Sequence, residues 1–369
     1  MKIVYVFRSL AVWGGIERIL VDKMNWLVAH GYEVMMITAD QGQHALPYEI
    51  DSRIEYVDLN ICFHHQYHYR GVRRLVDMWQ RQRRFERLLK ECLNRAHPDV
   101  LVCTTANYVD TLVRQKGSIP LVVESHSISR QLVDTGRFRY LRRMWLRNSL
   151  RKADVLVALT EGDAADWRQY LGRVVAIPNM VHVPDRPNRS SLMARQVIFA
   201  GRLAAQKQVD HVLTIWQKAH QRHPDWTLAV YGEGEQREWF VAEVARIHAG
   251  IEVHPPTEQI FECYAASSML MLTSLFEPFG LVLPEAMSCG LPVVAYDCPY
   301  GPRAIITDGE DGFLVEPQHT NAFADRLCQL IEDEGLRQRM GRKAVESAQR
   351  FDAQHVMPQW AELFQKLTK

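Results

Sequence analysis

The chain has 369 residues, 47% of them hydrophobic and 24% charged, with a formal net charge of +1. That is too long for one ordinary hydrophobic core, so two domains are expected. The balance is that of a soluble globular protein, and no run reaches the roughly 20 apolar residues that a membrane-spanning helix needs.

From the N-terminus, M-K-I-V-Y-V-F-R is expected to be a strand and not a signal peptide, because its apolar stretch is short and Arg8 interrupts it. Short β-branched runs then alternate with helical patterns. The expected strands of the first half are Ile3–Phe7, Val34–Thr38, Ile54–Leu59, Val100–Thr104, Leu121–Glu124, Val155–Leu159 and Val174–Ile177. Those of the second are Val197–Ala200, Thr227–Tyr231, Ile251–Val253, Leu270–Thr273, Val293–Tyr296 and Phe313–Val315. Runs this short and apolar on both faces suit parallel sheets covered by helices, and the repeated alternation predicts two doubly wound domains. Between the halves, V-P-D-R-P-N-R-S-S is rich in turn formers, and Pro184–Ser191 reads as the linker. After Phe351 a helix is expected, with Trp360, Leu363, Phe364 and Leu367 on one apolar face.

Seven cysteines occur without a C-x-x-C pair, and Cys103, Cys289 and Cys298 lie in or beside apolar elements, so reduced, buried thiols of a cytosolic protein are expected. The run H64-H65-Q-Y-H68 is the one candidate for metal ligation and reads better as a polar loop.

Several turns carry chemistry. Gly14 and Gly15 precede a helix that begins near Glu17 and Arg18, where the backbone can approach a ligand and free N–H groups are on offer. The pattern is not G-x-G-x-x-G, which disfavours a nicotinamide oxidoreductase. His126 ends the strand L-V-V-E-S-H, at the end of a parallel sheet where α/β sites open. In A-G201-R202-L-A-A-Q-K207, two cations five residues apart can be aimed at one diphosphate. Tyr231-Gly232-Glu233-Gly234 is a further strand-to-helix turn.

The richest run is F-E277-P-F-G-L-V-L-P-E285-A-M-S-C-G290. Pro284 is expected to open a short helix that Gly290 ends, leaving the N–H groups of Phe279 to Leu283 free for a phosphate. A carboxylate beside such a cradle serves to accept hydrogen bonds from hydroxyls, and the combination reads as a sugar-nucleotide site.

The same run resembles the Glu-x7-Glu signature of the retaining family-4 glycosyltransferases. The resemblance implies the GT-B fold, in which two doubly wound Rossmann-like domains face an interdomain cleft. Here these would be an acceptor-side domain over residues 1–183 and a nucleotide-sugar-binding domain over 184–353. A C-terminal helix at about 354–369 would cross back to the first domain. It further implies that Glu277 approaches the donor sugar, that the amides of Phe279, Gly280, Leu281 and Val282 hold sugar and phosphate, and that Glu285 binds the ribose. The family's G-G-x-E-R element assigns Gly15, with Gly14 beside it, to the donor diphosphate. Its G-R-L-x-x-x-K-G segment assigns Arg202 and Lys207 to the phosphates, although Gln208 stands where Gly is usual. Gly232 matches the family's G-x-G turn, backbone near Ile251–Pro256 reads the base, and His126 sits beside the reacting sugar.

The expected reaction moves a hexosyl group, with retention, from a nucleotide-diphosphate sugar, most simply a UDP-sugar, to a hydroxyl of a glycan or lipid-linked saccharide, as in surface polysaccharide synthesis. His126, Glu277, Arg202 and Lys207 are the expected catalytic residues, the two cations stabilising the leaving diphosphate. No Asp-x-Asp sequence is present, and neither metal nor cofactor is expected besides the donor. A glycosidase is the poorer fit, since it has no use for the phosphate features. Alternatives are a sugar-nucleotide epimerase of the same fold and a non-catalytic nucleotide-sugar-binding protein.

Arg137, Arg139, Arg142, Arg143, Arg147, Arg151 and Lys152 form an acid-free run interleaved with Phe138, Tyr140, Leu141, Met144, Trp145, Leu146 and Leu150. A second cluster, Arg70 to Arg95, again mixes arginines with Leu75, Trp79, Phe85 and Leu88. Such helices suit peripheral contact with an anionic membrane, which would put the protein in the cytoplasm at the inner face of the cell membrane. No nucleic-acid recognition motif accompanies the arginines.

Overall fold

The computed structural model describes every residue except Trp13, Thr105, 130–138 and 182–187; of 106, 107, 139–143 and 145 only the backbone is described. The chain divides into two compact units, Met1–Met180 with Met357–Lys369, and Val181–Val356. Each is built on one all-parallel sheet.

In the first unit the strands are β1 (Lys2–Phe7), β2 (Glu33–Thr38), β3 (Glu55–Asp58), β4 (Val100–Cys103), β5 (Leu121–Ser125), β6 (Val155–Ala158) and β7 (Val174–Ala176). The order across the sheet is β3-β2-β1-β4-β5-β6-β7. The second unit contains β8 (Gln196–Ala200), β9 (Thr227–Tyr231), β10 (Ile251–His254), β11 (Met269–Leu272), β12 (Val293–Tyr296) and β13 (Gly312–Val315), in the order β10-β9-β8-β11-β12-β13. All thirteen expected strands are present, with ends moved by a residue or so. Both sheets are doubly wound, and in each the direction of winding reverses between the first strand and the fourth. A crevice opens at that reversal, outside the carboxyl ends of the strands, and that is where ligands of such sheets bind.

Helices cover both faces. Those of the first unit are α1 (Gly15–Ala29), α2 (Gly71–Ala96), α3 (Ala106–Gln115), α4 (Arg139–Leu150) and α5 (Glu161–Arg168). They bury an apolar layer that includes Val4, Leu89, Leu101, Val123 and Trp167. The second unit has α6 (Val209–Arg222), α7 (Arg237–Ile247), α8 (Ile260–Ala265), α9 (Val282–Ser288), α10 (Gly301–Ile305), α11 (Thr320–Glu332) and α12 (Glu334–Ala348). Its core gathers Phe199, Trp216, Met271, Tyr296 and Phe323. Helix α13 (Ala353–Thr368) begins in the second unit, and from Met357 on it belongs to the first, where Trp360 and Phe364 are buried.

The basic helices behave unevenly. In α2 the apolar residues divide along its length: Phe85, Leu89 and Leu93 are buried on the sheet, whereas Val72, Leu75, Val76 and Trp79 are exposed at 76%, 59%, 47% and 55%. The last four share one face at i, i+3, i+4, i+7 spacing. In α4, Leu146 and Leu150 are buried, Met144 is exposed, and the Arg147 guanidinium lies 3.6 Å from the ring centre of Tyr170. The expected contributions of Arg137 and Phe138, and those of the Arg139–Arg143 and Trp145 side chains, lie outside the described residues. So does most of the expected linker, of which 188–191 are described.

Candidate active site

In the second unit the reversal of winding brings together the loops that follow β8 and β11. The loop after β8 runs through Gly201, Arg202 and Leu203 into a single 3-10 turn, Ala205–Lys207. It is clamped from one side by the turn after β9. A Cβ on Gly232 would stand 2.0 Å from the carbonyl oxygen of Gly201, and one on Gly234 would stand 2.4 Å from that of Leu203. Leu203 donates its N–H to the Glu233 carbonyl at 2.9 Å, and Gln236 donates to the Leu203 carbonyl at 2.9 Å. Backbone packing thus requires glycine at both positions.

From the other side the loop is tied to the segment after β11. Gln206 donates from Nε2 to the Phe276 carbonyl at 2.7 Å and accepts from the Leu275 N–H at 2.8 Å. Thr273 Oγ1 donates to the Lys207 carbonyl at 2.7 Å. These bonds bring the Lys207 ammonium onto Glu277 Oε1, which also accepts from Ser274 Oγ at 2.6 Å. The pair is mostly buried, with 12% of the lysine side chain and 6% of the glutamate exposed. Glu277 is fixed through its backbone as well, donating to the Pro299 carbonyl at 2.7 Å and accepting from the N–H groups of Tyr300 and Gly301 at 2.8 and 2.9 Å. A Cβ on Gly301 would fall 1.8 Å from the Phe279 carbonyl, so glycine is obligatory there too. Beside the pair, Cys298 is buried, and burial together with the Glu277 charge pushes its thiol well above the usual range, leaving it an inert thiol. Arg202 is exposed and has no side-chain partner among the described residues.

The short helix corrects the sequence reading in two details. It opens at Val282 and not at Pro284, which occupies the third helical position. Proline is tolerated there for the same reason as at the first, since the N–H it lacks would have no intrahelical partner. The N–H of Leu283 is not free, because it donates to the Gly280 carbonyl at 3.0 Å. Those of Phe279, Gly280, Leu281 and Val282 have no acceptor among the described residues. Gly280, at φ +90°, makes the turn that exposes them. Glu285 is 9% exposed and accepts from the Tyr264 hydroxyl at 3.3 Å. Gly290, at φ +85°, closes the helix, where Leu291 N–H reaches the Ala286 carbonyl at 3.1 Å. In the segment expected to read the base, the His254 ring stacks on Tyr231 at 4.7 Å, and its carbonyl accepts from the Gly232 N–H at 3.1 Å.

The first unit has its own cleft, of about 720 Å³, at the carboxyl ends of β1, β4 and β5, lined by Arg8, Asp40, Thr104, Glu124 and His126 among others. His126 follows β5 directly, and its Nε2 lies 3.0 Å from Glu124 Oε2. The same carboxylate oxygen accepts from the Lys23 ammonium of α1 at 2.5 Å. The loop behind His126 is pinned by the buried Asp163, which accepts from the Ser129 N–H at 2.9 Å and from Trp167 Nε1 at 3.1 Å. Gly14 is the N-cap of α1, and a Cβ on it would meet the Glu17 carboxylate at 2.2 Å, so that carboxylate already lies over the start of the helix next to Gly15. The histidines of the 64–68 run pack on one another, His64 edge-on to His65 at 4.4 Å and His65 stacked on His68 at 5.3 Å. Among the described residues no group of three potential ligands is arranged to hold a metal ion.

The sequence reading passed over Ser274, Tyr264, Lys23 and Glu124. The first two follow no sequence signal. The other two leave one: a lysine on the apolar face of α1, and a glutamate inside an apolar strand.

Two family models cover most of the chain. The model for Glycosyltransferase Family 4 matches residues 13–184, and that for glycosyl transferases group 1 matches residues 185–347. An exopolysaccharide phosphotransferase of Streptomyces coelicolor, SCO2592, is 38% identical over 221 residues, which are 58% of this chain and 23% of that protein. The chain thus spans about a quarter of that relative. An uncharacterized glycosyltransferase of Haemophilus influenzae is 24% identical over 97% of this chain and 98% of its own length. Among solved structures, S. aureus TarM (the G117R mutant, in complex with fondaparinux, alpha-GlcNAc-glycerol and UDP) superposes with a TM-score of 0.80. It has 15% sequence identity, and the match covers 99% of this chain and 100% of TarM. Its likeness is one of fold. Taken with the two doubly wound sheets and the Glu277–Glu285 run, the family matches make the chain a member of glycosyltransferase family 4, with the GT-B fold.

Proposed function

We propose that this glycosyltransferase moves a hexosyl group, with retention at the anomeric carbon, from a UDP-sugar to a hydroxyl of a glycan or lipid-linked saccharide in surface polysaccharide synthesis. The observation that carries this reading is the meeting of Lys207, Glu277 and Ser274 beside four unclaimed backbone N–H groups. As the glycosidic bond breaks, negative charge grows on the leaving diphosphate. A partly shielded ammonium, the exposed Arg202 guanidinium and preorganised N–H groups are suited to receive it. Glu277 and Glu285 then serve as acceptors for donor hydroxyls, Glu277 for the sugar and Glu285 for the ribose. The cleft at His126 takes the acceptor, with His126 beside the reacting sugar. The Gly14–Gly15 turn assists the diphosphate once the Glu17 carboxylate swings aside. UDP in the TarM complex and the exopolysaccharide role named for the Streptomyces relative support the choice of donor and product class.

The test is release of UDP from UDP-glucose, UDP-galactose and UDP-N-acetylglucosamine, each with and without a membrane lipid extract, with the anomeric configuration of the product read by NMR. One donor is expected to release UDP in an acceptor-dependent way and to give the α-product. Epimerised donor formed without acceptor, or no release with any donor, overturns the proposal.

The membrane contact belongs to the same reading. The exposed stripe of Val72, Leu75, Val76 and Trp79 is bordered by Arg70, Arg73, Arg74, Arg83 and Arg84, while the one acid between residues 63 and 85, Asp77, is held by Arg81. Arg83 lies over the Trp79 ring at 4.3 Å. An apolar face rimmed by cations fits the interface of an anionic bilayer. Among the described residues no helix is long and apolar enough to cross a membrane, and the contact this stripe would make is peripheral. Sedimentation with phosphatidylglycerol-containing vesicles, but not with pure phosphatidylcholine, is expected, and Leu75→Glu/Trp79→Glu should abolish it. Unchanged binding by that double variant removes the stripe from the account.

A further inference from the structure

We propose that Lys23 and Glu124 are positioning residues for the transfer reaction: a dry ion pair that holds the ring of His126 in one plane and one tautomer at the floor of the first unit's cleft. The inference rests on the proposed placement of His126 beside the reacting sugar.

Three observations carry it. The first is burial. The side chains of Lys23 and Glu124 are 2% and 1% exposed, and that of His126 is 4% exposed. A lysine–glutamate pair in such a place adds little to folding stability, because desolvating two ions offsets their attraction, and a well-packed apolar pair would hold the layer at least as well. The neighbours of Lys23 on the buried face of α1 are of that apolar kind: Leu20, Met24 and Leu27. What an apolar pair could not supply is a fixed charged acceptor.

The second is the sharing of one oxygen. Glu124 Oε2 accepts from Lys23 Nζ at 2.5 Å and lies 3.0 Å from His126 Nε2. Burial pushes the Glu124 carboxyl up, but Lys23 and His126 together outweigh it and hold it below the ordinary range, so it is a carboxylate. A carboxylate only accepts, so Nε2 carries a proton, and in the neutral ring Nδ1 is the acceptor nitrogen. Nδ1 has no partner among the described residues. An imidazole so held can take a hydrogen bond from an acceptor hydroxyl without first choosing a tautomer.

The third is the lid over the lysine. The ammonium lies 4.0 Å from the ring centre of Trp360 on α13, and the pair is all but sealed from water. The contacts thus form one line, Trp360, Lys23, Glu124, His126, from the terminal helix to the cleft.

The test uses the full-length chain and whichever of UDP-glucose, UDP-galactose and UDP-N-acetylglucosamine turns over fastest. The double variant Lys23→Met/Glu124→Leu replaces the pair by apolar side chains. It should fold, with an unfolding midpoint equal to or above that of the parent, yet lose about tenfold or more in kcat at unchanged donor KM. In histidine labelled with 15N, the ring shifts of His126 should move from the single Nε2–H tautomer to a mixture. A folded double variant with kcat within about twofold of the parent and an unchanged tautomer overturns the proposal. Should the double variant fail to fold, Glu124→Gln gives the same two readouts in an isosteric side chain. His126→Ala separates the two levels: full activity there sinks the placement of His126 itself, whereas an inactive His126→Ala beside a fully active double variant sinks only the positioning role.

Discussion

Each unit carries one lysine–glutamate pair near the carboxyl ends of its strands, and the two are built to opposite specifications. Lys207 and Glu277 come from two loops, share their oxygen with a serine hydroxyl, and stay partly open to solvent. Lys23 and Glu124 come from the body of a helix and the end of a strand, share their oxygen with an imidazole, and are sealed under an indole. A pair whose lysine still reaches solvent can exchange one partner for an incoming anion at a smaller desolvation cost. A sealed pair cannot, so its ions remain bound to each other and fix whatever else touches them. The same two residue types thus make a loop-to-loop contact with an edge to solvent in one unit and a sealed contact in the other.

The largest difference should appear on removing one lysine at a time. Lys23→Met leaves a buried carboxylate without its cation and should lower the unfolding free energy by about 3–5 kcal/mol in urea titration. A loss below about 1 kcal/mol would place that pair with the exposed ones. Lys207→Ala should cost less stability than Lys23→Met, because Ser274 still donates to Glu277, while kcat falls by about 10²–10³-fold in the UDP-release assay. Wild-type turnover would remove Lys207 from the leaving-group site. Ser274→Ala probes the shared oxygen more gently, and the loss of one hydrogen bond to a charged group should reduce kcat about tenfold. An unchanged rate would mean that Lys207 alone holds Glu277.

The smallest effect is one of pH. The folded-state pKa of Glu124 is held below its ordinary value of 4.5, although burial alone would raise it. The stability it contributes is therefore present above that value and is lost as the pH falls through the lower, folded-state one. Thermal midpoints measured from pH 6 downward should fall more steeply below about 4.5 in the parent than in Lys23→Met/Glu124→Leu. Parallel curves would separate Glu124 from the acid limb.

Most of the second unit's site was legible because it lies in loops whose residues are consecutive. Lys207, Glu277 and the amides of Phe279 to Val282 follow strands that the apolar runs already marked. Gly232 was legible as a glycine, but its packing role was not, since the approach of Gly201 to within a carbon's reach is a property of two strands packing side by side. The two-residue error at Pro284 comes from treating proline as a marker of the first helical position when any position in the first turn will take it. The sealed pair was not read because its halves lie 101 residues apart, and nothing local says that a lysine on an apolar helix face ends on a glutamate. Helix α2 shows the opposite limit. Its sequence is evenly basic and amphipathic, but only the structure divides it into a half that packs on the sheet and a half whose apolar stripe remains uncovered.

The chain order of the units bears on how the protein is made. The first unit needs residues 357–369, which leave the ribosome only after all of Val181–Val356 has been synthesised. Until then Lys23 has no indole above it. Of the two units, the one made first is thus completed last, after an interval in which a chaperone could still gain access to it. Shortening the chain from its C-terminal side should accordingly trap the first unit unfinished while the second closes on schedule.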